Sequence, residues 1–263
     1  MMLLLYVTLA IFGFCMLYRI PLVKYYVKFL IFAAMVSVGS VFYVVYFVFV
    51  GRSYKNAWRF KRLFWLSGRI IGLKAIVRNP EYLHPEKPCI FVSNHQSIID
   101  VFSLCGVWPE HCTVVSKSSL KFAGPMGLVT WFSKLIFIDR SKHKDAVSIM
   151  KKAAEEASRD QVSVLVFAEG TRSNLDTLLP FKKGAFHLAV DCQFPIQPIV
   201  ISSYNKFLDH DNKRFDDATY YVEVLPQIST TGKTDDDVDQ LLKQTRDKML
   251  ECFEKLKTLP LPS

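Results

Sequence analysis

Apolar positions are concentrated at the amino-terminal end of the chain. No charged residue occurs from residue 1 to 18 or from residue 30 to 50. Because a helix needs about 20 apolar residues to cross the hydrocarbon core of a bilayer, the second segment is long enough and the first is borderline. A short basic break separates them, at Arg19, Pro21, Lys24 and Lys28. The pattern predicts a hairpin of two membrane helices over residues 1–50, and its length fits both a full span and insertion into one leaflet.

The segment after this hairpin combines basic and aromatic positions. Its basic residues are Arg52, Lys55, Arg59, Lys61, Arg62 and Arg69, and its large apolar residues are Trp58, Phe60, Leu63, Phe64 and Trp65. Basic residues beside an apolar helix favour a cytoplasmic location for that end and contact with anionic lipid headgroups. The pattern predicts an amphipathic connection over residues 51–75 at the membrane interface. An ordinary first helix of a globular domain explains the pattern equally well.

Short apolar segments and helical periodicity alternate over residues 76–263. Segments bounded by polar or turn residues predict six strands, at Cys89–Ser93, Cys112–Ser116, Ile136–Asp139, Val162–Ala168, Ile196–Ser202 and Tyr220–Leu225. Helical spacing occurs from Ala146 to Ala157, and Thr234 can cap a final helix that ends near Lys257. This alternation predicts an α/β domain with a largely parallel sheet covered by helices on both faces. Ligands of such sheets bind beyond the carboxyl ends of the strands.

Charge and cysteine content narrow the choice of partners. The chain has 263 residues and a formal net charge of +9, which favours an acidic partner. Its basic residues flank an apolar segment, so a lipid bilayer and a phosphorylated lipid are expected and nucleic acid is not. The six cysteines show no C-x-x-C spacing, which predicts reduced thiols, no metal site and no bound cofactor. A secretory signal is disfavoured because a basic start and a cleavage pattern are missing.

A histidine and an aspartate lie five residues apart directly after the first predicted strand. On a regular helix, positions five apart point roughly 140° away from each other, so His95 and Asp100 meet only if the histidine lies in a strand-to-helix turn. Ser93, Asn94 and Ser97 can cap such a helix. The carboxylate would then bind one imidazole nitrogen and leave the other free as a general base for a hydroxyl. Taken alone, the pair is explained equally well by loop hydrogen bonds.

Positively charged residues follow three other predicted strands. Gly170 allows the backbone to approach a ligand closely, and Arg172 presents a planar fork that matches phosphate. Lys117 and Arg140 directly follow their own strands. Because parallel strands end at one edge of a sheet, we expect the three cations at the same edge as His95. A general base beside several cations predicts a pocket for an anionic headgroup.

Four ordered motifs together resemble those of the glycerolipid acyltransferases, most closely the 1-acylglycerol-3-phosphate acyltransferase branch. The motifs are Asn94–Asp100, Phe137–Arg140, Glu169–Arg172 and Pro195–Ile199. The resemblance covers about Cys89 to Tyr204. It implies acyl transfer from acyl-CoA, as co-substrate, to the sn-2 hydroxyl of lysophosphatidic acid at the endoplasmic reticulum membrane, with the catalytic domain facing the cytoplasm. Another lysophospholipid or glycerol-3-phosphate is the alternative acceptor.

The resemblance also implies roles for single residues. His95 is expected to be the general base and Asp100 the residue that orients it. The residues expected to bind the acceptor are Lys117, Arg140, Glu169, Gly170, Thr171 and Arg172. Two positions depart from the family pattern, since Ala168 replaces a usual proline and Lys134 a common glycine. Neither change removes a reactive group, so we expect activity to be retained.

Three other classes of protein lack support in the motifs. A lipase needs a Gly-x-Ser-x-Gly elbow, and the chain has none. A P-loop, suggested by Gly232–Thr234, needs a glycine at the position of Gln227. A membrane scaffold without catalysis would need neither His95 nor Asp100. The motifs therefore favour an enzyme that uses a histidine as its base.

Overall fold

The computed structural model describes residues 2–84, 87–139 and 143–260. Its α-helices are α1 (Met2–Tyr18), α2 (Pro21–Val50), α3 (Lys55–Ile70), α4 (Asp100–Ser103), α5 (Gly124–Phe132), α6 (His143–Asp160), α7 (Gly184–Cys192) and α8 (Val238–Thr258). Its strands are β1 (Leu73–Arg78), β2 (Ile90–Ser93), β3 (Cys112–Lys117), β4 (Ile136–Ile138), β5 (Ser163–Phe167), β6 (Ile196–Ile201), β7 (Leu208–Asp209), β8 (Arg214–Phe215) and β9 (Ala218–Val224).

Seven strands form one mixed sheet in the order β1-β9-β6-β2-β5-β3-β4. Strands β6, β2, β5, β3 and β4 are parallel to one another. Strand β9 is antiparallel to β6, and β1 is parallel to β9. The carboxyl ends of the five mutually parallel strands therefore share one edge with the amino ends of β1 and β9. The predicted α/β fold with a largely parallel sheet is confirmed.

The six predicted strands are present, with ends that differ by one or two residues. Strand β1 is not predicted by the sequence pattern, and it crosses the proposed boundary between residues 75 and 76. This strand directly follows α3 and lies at the edge of the sheet, where β9 is its pairing partner. Strands β7 and β8 are not predicted either. They pair as a separate ladder of two residues each, which is too short for a detectable alternation.

The sheet separates two hydrophobic cores. In β5, Val164 and Val166 face one core while Leu165 faces the other, as the alternation of side chains along a strand requires. Helices α6, α7 and α8 cover the first face. The second face is covered by the α3 and α4 region and by part of α2. The final predicted helix is confirmed as α8, and the Asp237 carboxylate accepts the Thr234 N–H at 2.9 Å before its first turn.

Helix α2 lies against the domain over most of its 30 residues. Near the start of α2, the buried Lys28 ammonium pairs with Asp217 Oδ1 at 2.6 Å. Asp217 directly precedes β9. Farther along, Phe32 packs on Phe102, and Phe47 packs on Phe132 of α5. One face of α2 is thus fixed across the edge of the domain where the central strands end.

The opposite face of α2 is apolar and exposed. Phe42 is 70% exposed and Phe49 is 83% exposed. Among the helices of the described part of the chain, α2 alone is long and apolar enough to cross a membrane, judged by length and composition. Helix α3 is amphipathic, with Phe60 buried and Trp65 and Ile70 exposed. The two helices that carry this exposed apolar surface, α2 and α3, therefore pack directly on the domain and are not held away from it by a linker.

Candidate active site

The strand-to-helix turn after β2 brings a histidine and a carboxylate together. Strand β2 ends at Ser93 and α4 begins at Asp100, so His95 lies in irregular backbone between them. The His95 Nδ1 atom lies 2.6 Å from Asp100 Oδ2. Asp100 is buried, whereas the His95 side chain is 17% exposed. The geometry matches the arrangement that the spacing required.

The Asp100 carboxylate accepts further hydrogen bonds from the backbone of the same turn. The Gln96 N–H donates to Oδ2 at 2.8 Å, and the Ser97 N–H donates to Oδ1 at 3.2 Å. These donors satisfy the oxygens of a side chain that would be costly to bury without hydrogen-bond partners. The carboxylate also accepts a hydrogen bond from His95 Nδ1–H. His95 Nε2 forms no hydrogen bond with a described residue, so this nitrogen is available to act as a base.

The imidazole is also held from one side. Its ring stacks on Phe167 at the end of β5, with a centroid distance of 3.9 Å and an interplanar angle of 19°. Phe167 lies opposite Ser93 in the parallel pairing of β2 and β5. Stacking on Phe167 and the hydrogen bond to Asp100 together restrict rotation of the imidazole ring.

Glu169 connects the histidine turn to the loop after β5. Its Oε1 atom accepts the His95 N–H at 2.8 Å, and its Oε2 atom accepts the Leu179 N–H at 2.9 Å. The side chain is buried. Burial raises the pKa of this carboxyl, and the two N–H donors oppose that rise. In the other direction, the Ser173 N–H donates to the His95 carbonyl at 3.0 Å. The two loops are therefore one hydrogen-bonded unit.

Two amide side chains fix the turn to the end of β6. Asn94 Nδ2 donates to the Ile201 carbonyl at 2.9 Å, and Asn94 Oδ1 accepts the Ile201 N–H at 2.8 Å. Gln96 Nε2 donates to the Ser202 carbonyl at 2.9 Å, and Gln96 Oε1 accepts the Tyr204 N–H at 3.0 Å. Both amides therefore use donor and acceptor together, which fixes the turn in one position.

The cations of the sequence prediction lie at the same edge. Lys117 ends β3, and Arg172 lies in the loop after β5, the strand between β3 and β2. The side chains of Lys117, Thr171 and Arg172 are exposed, and neither cation has a hydrogen bond or ion pair with a residue that the structure describes. Arg140 lies outside the described residues. The structure thus places His95, Lys117 and Arg172 at one edge of the sheet.

Gly170, in the loop after β5, and Lys134, which precedes β4 at the opposite edge of the sheet, both have left-handed backbone. Gly170 has φ of +70°, which glycine adopts without the steric cost of a Cβ atom. Lys134, at the position where the family commonly has glycine, has φ of +54°. Its ammonium lies over the Tyr54 ring at 4.5 Å, and its carbonyl accepts the Thr113 hydroxyl at 2.9 Å. These contacts hold a lysine in a conformation that favours glycine.

Several residues that shape the site are not predicted by the sequence pattern. Phe167 belongs to a predicted strand, but nothing in its position shows that it stacks on His95. His210 contacts the turn through Ser97, with 3.4 Å between Nε2 and Oγ, from a segment for which the sequence predicts no element. In the described ranges, no group of three or more His, Cys, Asp or Glu side chains is arranged to bind a metal ion.

Comparison with known proteins supplies a family. The acyltransferase family model matches residues 74–202. The human 1-acyl-sn-glycerol-3-phosphate acyltransferase alpha is 38% identical over 239 residues, covering 90% of this chain and 84% of that protein. The yeast Saccharomyces cerevisiae 1-acyl-sn-glycerol-3-phosphate acyltransferase is 34% identical over 210 residues, covering 79% and 69%.

A solved structure shares the fold. The LPA acyltransferase PlsC from Thermotoga maritima superposes with a TM-score of 0.73 at 21% identity, covering 91% of this chain and 99% of that one. At this identity the likeness concerns the arrangement of the chain alone. The likeness extends beyond the sheet, because the matched region, 91% of the chain, is longer than the domain that contains the sheet.

The Glu169 contacts generate a prediction about stability. In Glu169→Gln one carboxylate oxygen becomes an amide donor that faces a backbone N–H, so one hydrogen bond is lost and a buried N–H is left unpaired. We expect a loss of roughly 1–3 kcal/mol, measured as a lower midpoint of thermal unfolding. Glu155→Gln, at an exposed position on α6, is the matched control. Equal midpoints for the two variants would contradict this role of Glu169.

Proposed function

The chain belongs to the 1-acyl-sn-glycerol-3-phosphate acyltransferase family, and we propose that it transfers an acyl group from acyl-CoA to the sn-2 hydroxyl of lysophosphatidic acid, giving phosphatidic acid and CoA. The observation that supports this most is the His95–Asp100 pair, with a 2.6 Å contact at Nδ1 and an open Nε2. The pair lies at the edge of the sheet where Lys117 and Arg172 are exposed. A base beside free cations suits a phosphorylated substrate that reacts through a hydroxyl.

The proposed chemistry is a direct transfer. His95 Nε2 accepts the proton of the acceptor hydroxyl while the hydroxyl oxygen attacks the thioester carbonyl carbon. The tetrahedral intermediate collapses, the C–S bond breaks, and the imidazolium gives its proton to the CoA thiolate. Asp100 stabilises the imidazolium through the Nδ1 hydrogen bond. Because the acceptor oxygen is itself the nucleophile, this route needs no covalent intermediate on the protein.

The acceptor-binding residues take different parts in this proposal. Arg172 and Lys117 contact the phosphate, since their cationic groups are exposed and unpaired among the described residues. Arg140 is proposed to join them on the strength of the family motif. Glu169 acts through the backbone, because both of its oxygens accept N–H groups. Gly170 and Thr171 set the path of the loop that carries Arg172.

We propose that α1 and α2 form a hairpin that attaches the enzyme to a bilayer. The apolar exposed face of α2 supports this, as do the exposed Trp65 and Ile70 of α3. The Lys28–Asp217 pair and the Phe47–Phe132 contact tie α2 to the domain at both ends, so the catalytic edge would lie at the lipid boundary. Location at the endoplasmic reticulum, with the domain facing the cytoplasm, belongs to the same proposal.

The general-base role of His95 predicts a large loss of turnover. His95→Ala should lower kcat by about 10²- to 10⁴-fold, with CoA release measured for acyl-CoA and lysophosphatidic acid as substrates. His187→Ala is the matched control, because His187 Nδ1 lies 2.9 Å from Asp235 Oδ1 in an exposed His–Asp pair. Normal turnover by His95→Ala would eliminate the base assignment. Absence of transfer by the unmodified protein would favour a membrane scaffold.

Arg172 predicts an effect on the acceptor. Arg172→Ala should raise KM for lysophosphatidic acid by roughly tenfold or more, as expected for loss of a charged hydrogen bond, and leave KM for acyl-CoA unchanged. Arg159→Ala, which removes an exposed arginine paired with Asp160, controls for the change in net charge. Glycerol-3-phosphate and lysophosphatidylcholine belong in the same assay. If kcat/KM for either compound exceeds that for lysophosphatidic acid, that compound is the preferred acceptor.

Membrane attachment through α2 predicts a change in lipid binding. Phe42→Asp together with Phe49→Asp should lower the fraction of protein that floats with phospholipid vesicles, by about tenfold or more in partition coefficient. Tyr82→Asp is the control, since Tyr82 is also exposed but follows β1 at the opposite edge of the sheet. Equal flotation of the α2 double variant and the Tyr82→Asp control would contradict membrane attachment through this face of α2.

A further inference from the structure

A chain of polar contacts joins α2 to the turn that carries His95. The Tyr25 hydroxyl lies 2.8 Å from His210 Nδ1. On the other side of the same ring, His210 Nε2 lies 3.4 Å from Ser97 Oγ. Tyr25 belongs to α2, His210 lies in the turn between β7 and β8, and Ser97 lies between His95 and Asp100. Three separate parts of the chain therefore meet through one imidazole.

The surroundings of His210 support a neutral ring with one proton. Burial lowers the pKa of His210, and Lys213 and Arg172 lower it further, while Asp209 and Asp211 oppose the change. A neutral imidazole has one donor and one acceptor nitrogen. The Tyr25 hydroxyl can donate to Nδ1 while Nε2–H donates to Ser97 Oγ. The contacts on both nitrogens are thus satisfied by a single tautomer.

The turn that carries His210 is itself held in place. The Lys213 ammonium donates to the His210 carbonyl and lies over the Tyr25 ring at 5.7 Å. Phe29 of α2 packs on both His210 and Phe215. These contacts hold His210 in place between α2 and Ser97.

Ser97 connects this chain to the carboxylate. Its side chain is buried, and its N–H donates to both Asp100 oxygens, at 3.2 and 3.3 Å. Gln96 holds the same turn from the β6 side through its amide. The His210 contact is the second support, on the side that faces α2. A shift of Ser97 would move one of the donors that place Asp100 against His95.

We propose that His210 is a positioning residue, which couples the apolar helix α2 to the His95–Asp100 pair through the Tyr25 hydroxyl and Ser97. This inference rests on the proposed acyl transfer. His210 touches neither substrate in this scheme; it keeps the carboxylate in the position that the base requires. The contact makes the turnover rate depend on how α2 is seated on the domain.

The test separates kcat from KM in purified protein. Tyr25→Phe keeps the aromatic ring and removes the hydroxyl, and it should lower kcat by about threefold to tenfold, the size expected for one hydrogen bond. KM for acyl-CoA and for lysophosphatidic acid should stay within about twofold. Tyr26→Phe is the matched control, because Tyr26 is exposed and the change keeps its ring, which packs edge-on against Tyr25. Its kcat should equal that of the parent.

Variants at His210 test whether Tyr25 and His210 act through the same series of polar contacts. His210→Ala should lose at least as much kcat as Tyr25→Phe, and His210→Gln, whose amide N–H can reach Ser97, should recover part of the loss. Because both sites act through one chain, Tyr25→Phe combined with His210→Ala should be no worse than His210→Ala alone. Thermal unfolding midpoints close to that of the parent would show that each variant folds.

The outcomes distinguish this inference from the proposed function. An active parent whose Tyr25→Phe variant keeps its kcat overturns the positioning role alone, and so do losses that multiply in the double variant. A raised KM with unchanged kcat also overturns it, because the residue would then act on binding. A parent without acyl transfer overturns the proposed function, and the positioning role with it.

Discussion

The site depends on one buried carboxylate that accepts hydrogen bonds from one short turn. Asp100 accepts from His95 Nδ1 and from the N–H groups of Gln96 and Ser97. A buried carboxylate without such donors is costly, so the turn and the charge stabilise each other. This requirement explains why the histidine lies outside a helix, since on a regular helix the two side chains would point apart. Glu169 and Asn94 then fix the turn to neighbouring strands.

The position of α2 follows from a second electrostatic constraint. Lys28 is fully buried, and its ammonium lies 2.6 Å from Asp217 and 4.6 Å from the centre of the Phe215 ring. An ammonium in such a place is tolerated when a counter-charge pairs with it. Asp217 directly precedes β9, whose amino end shares an edge with the carboxyl ends of the central strands. The pair therefore holds the apolar helix at the same edge as the base.

Features set by local sequence could be predicted, and those set by distant contacts could not. The six predicted strands, the final helix and the His95–Asp100 contact each follow from alternation, capping or spacing within a short segment. His210 reaches Ser97 from 113 residues away, and no local pattern encodes that distance. Strand β1 depends on β9 in the same way. Helix α3 packs Phe60 on Tyr43 of α2, a contact that its own amphipathic pattern does not encode.

The loop after β5 shows why charge alone does not assign a role. Glu169 and Arg172 stand three residues apart and are both polar, charged and close to His95 along the sheet edge. Burial separates them: the carboxylate is enclosed and uses both oxygens on backbone N–H groups, whereas the guanidinium is exposed. The first therefore maintains the geometry of the base, and the second can meet a ligand. In the proposed reaction, a base and an exposed cation on two hydrogen-bonded loops would let an anionic headgroup bind without disturbing the proton acceptor.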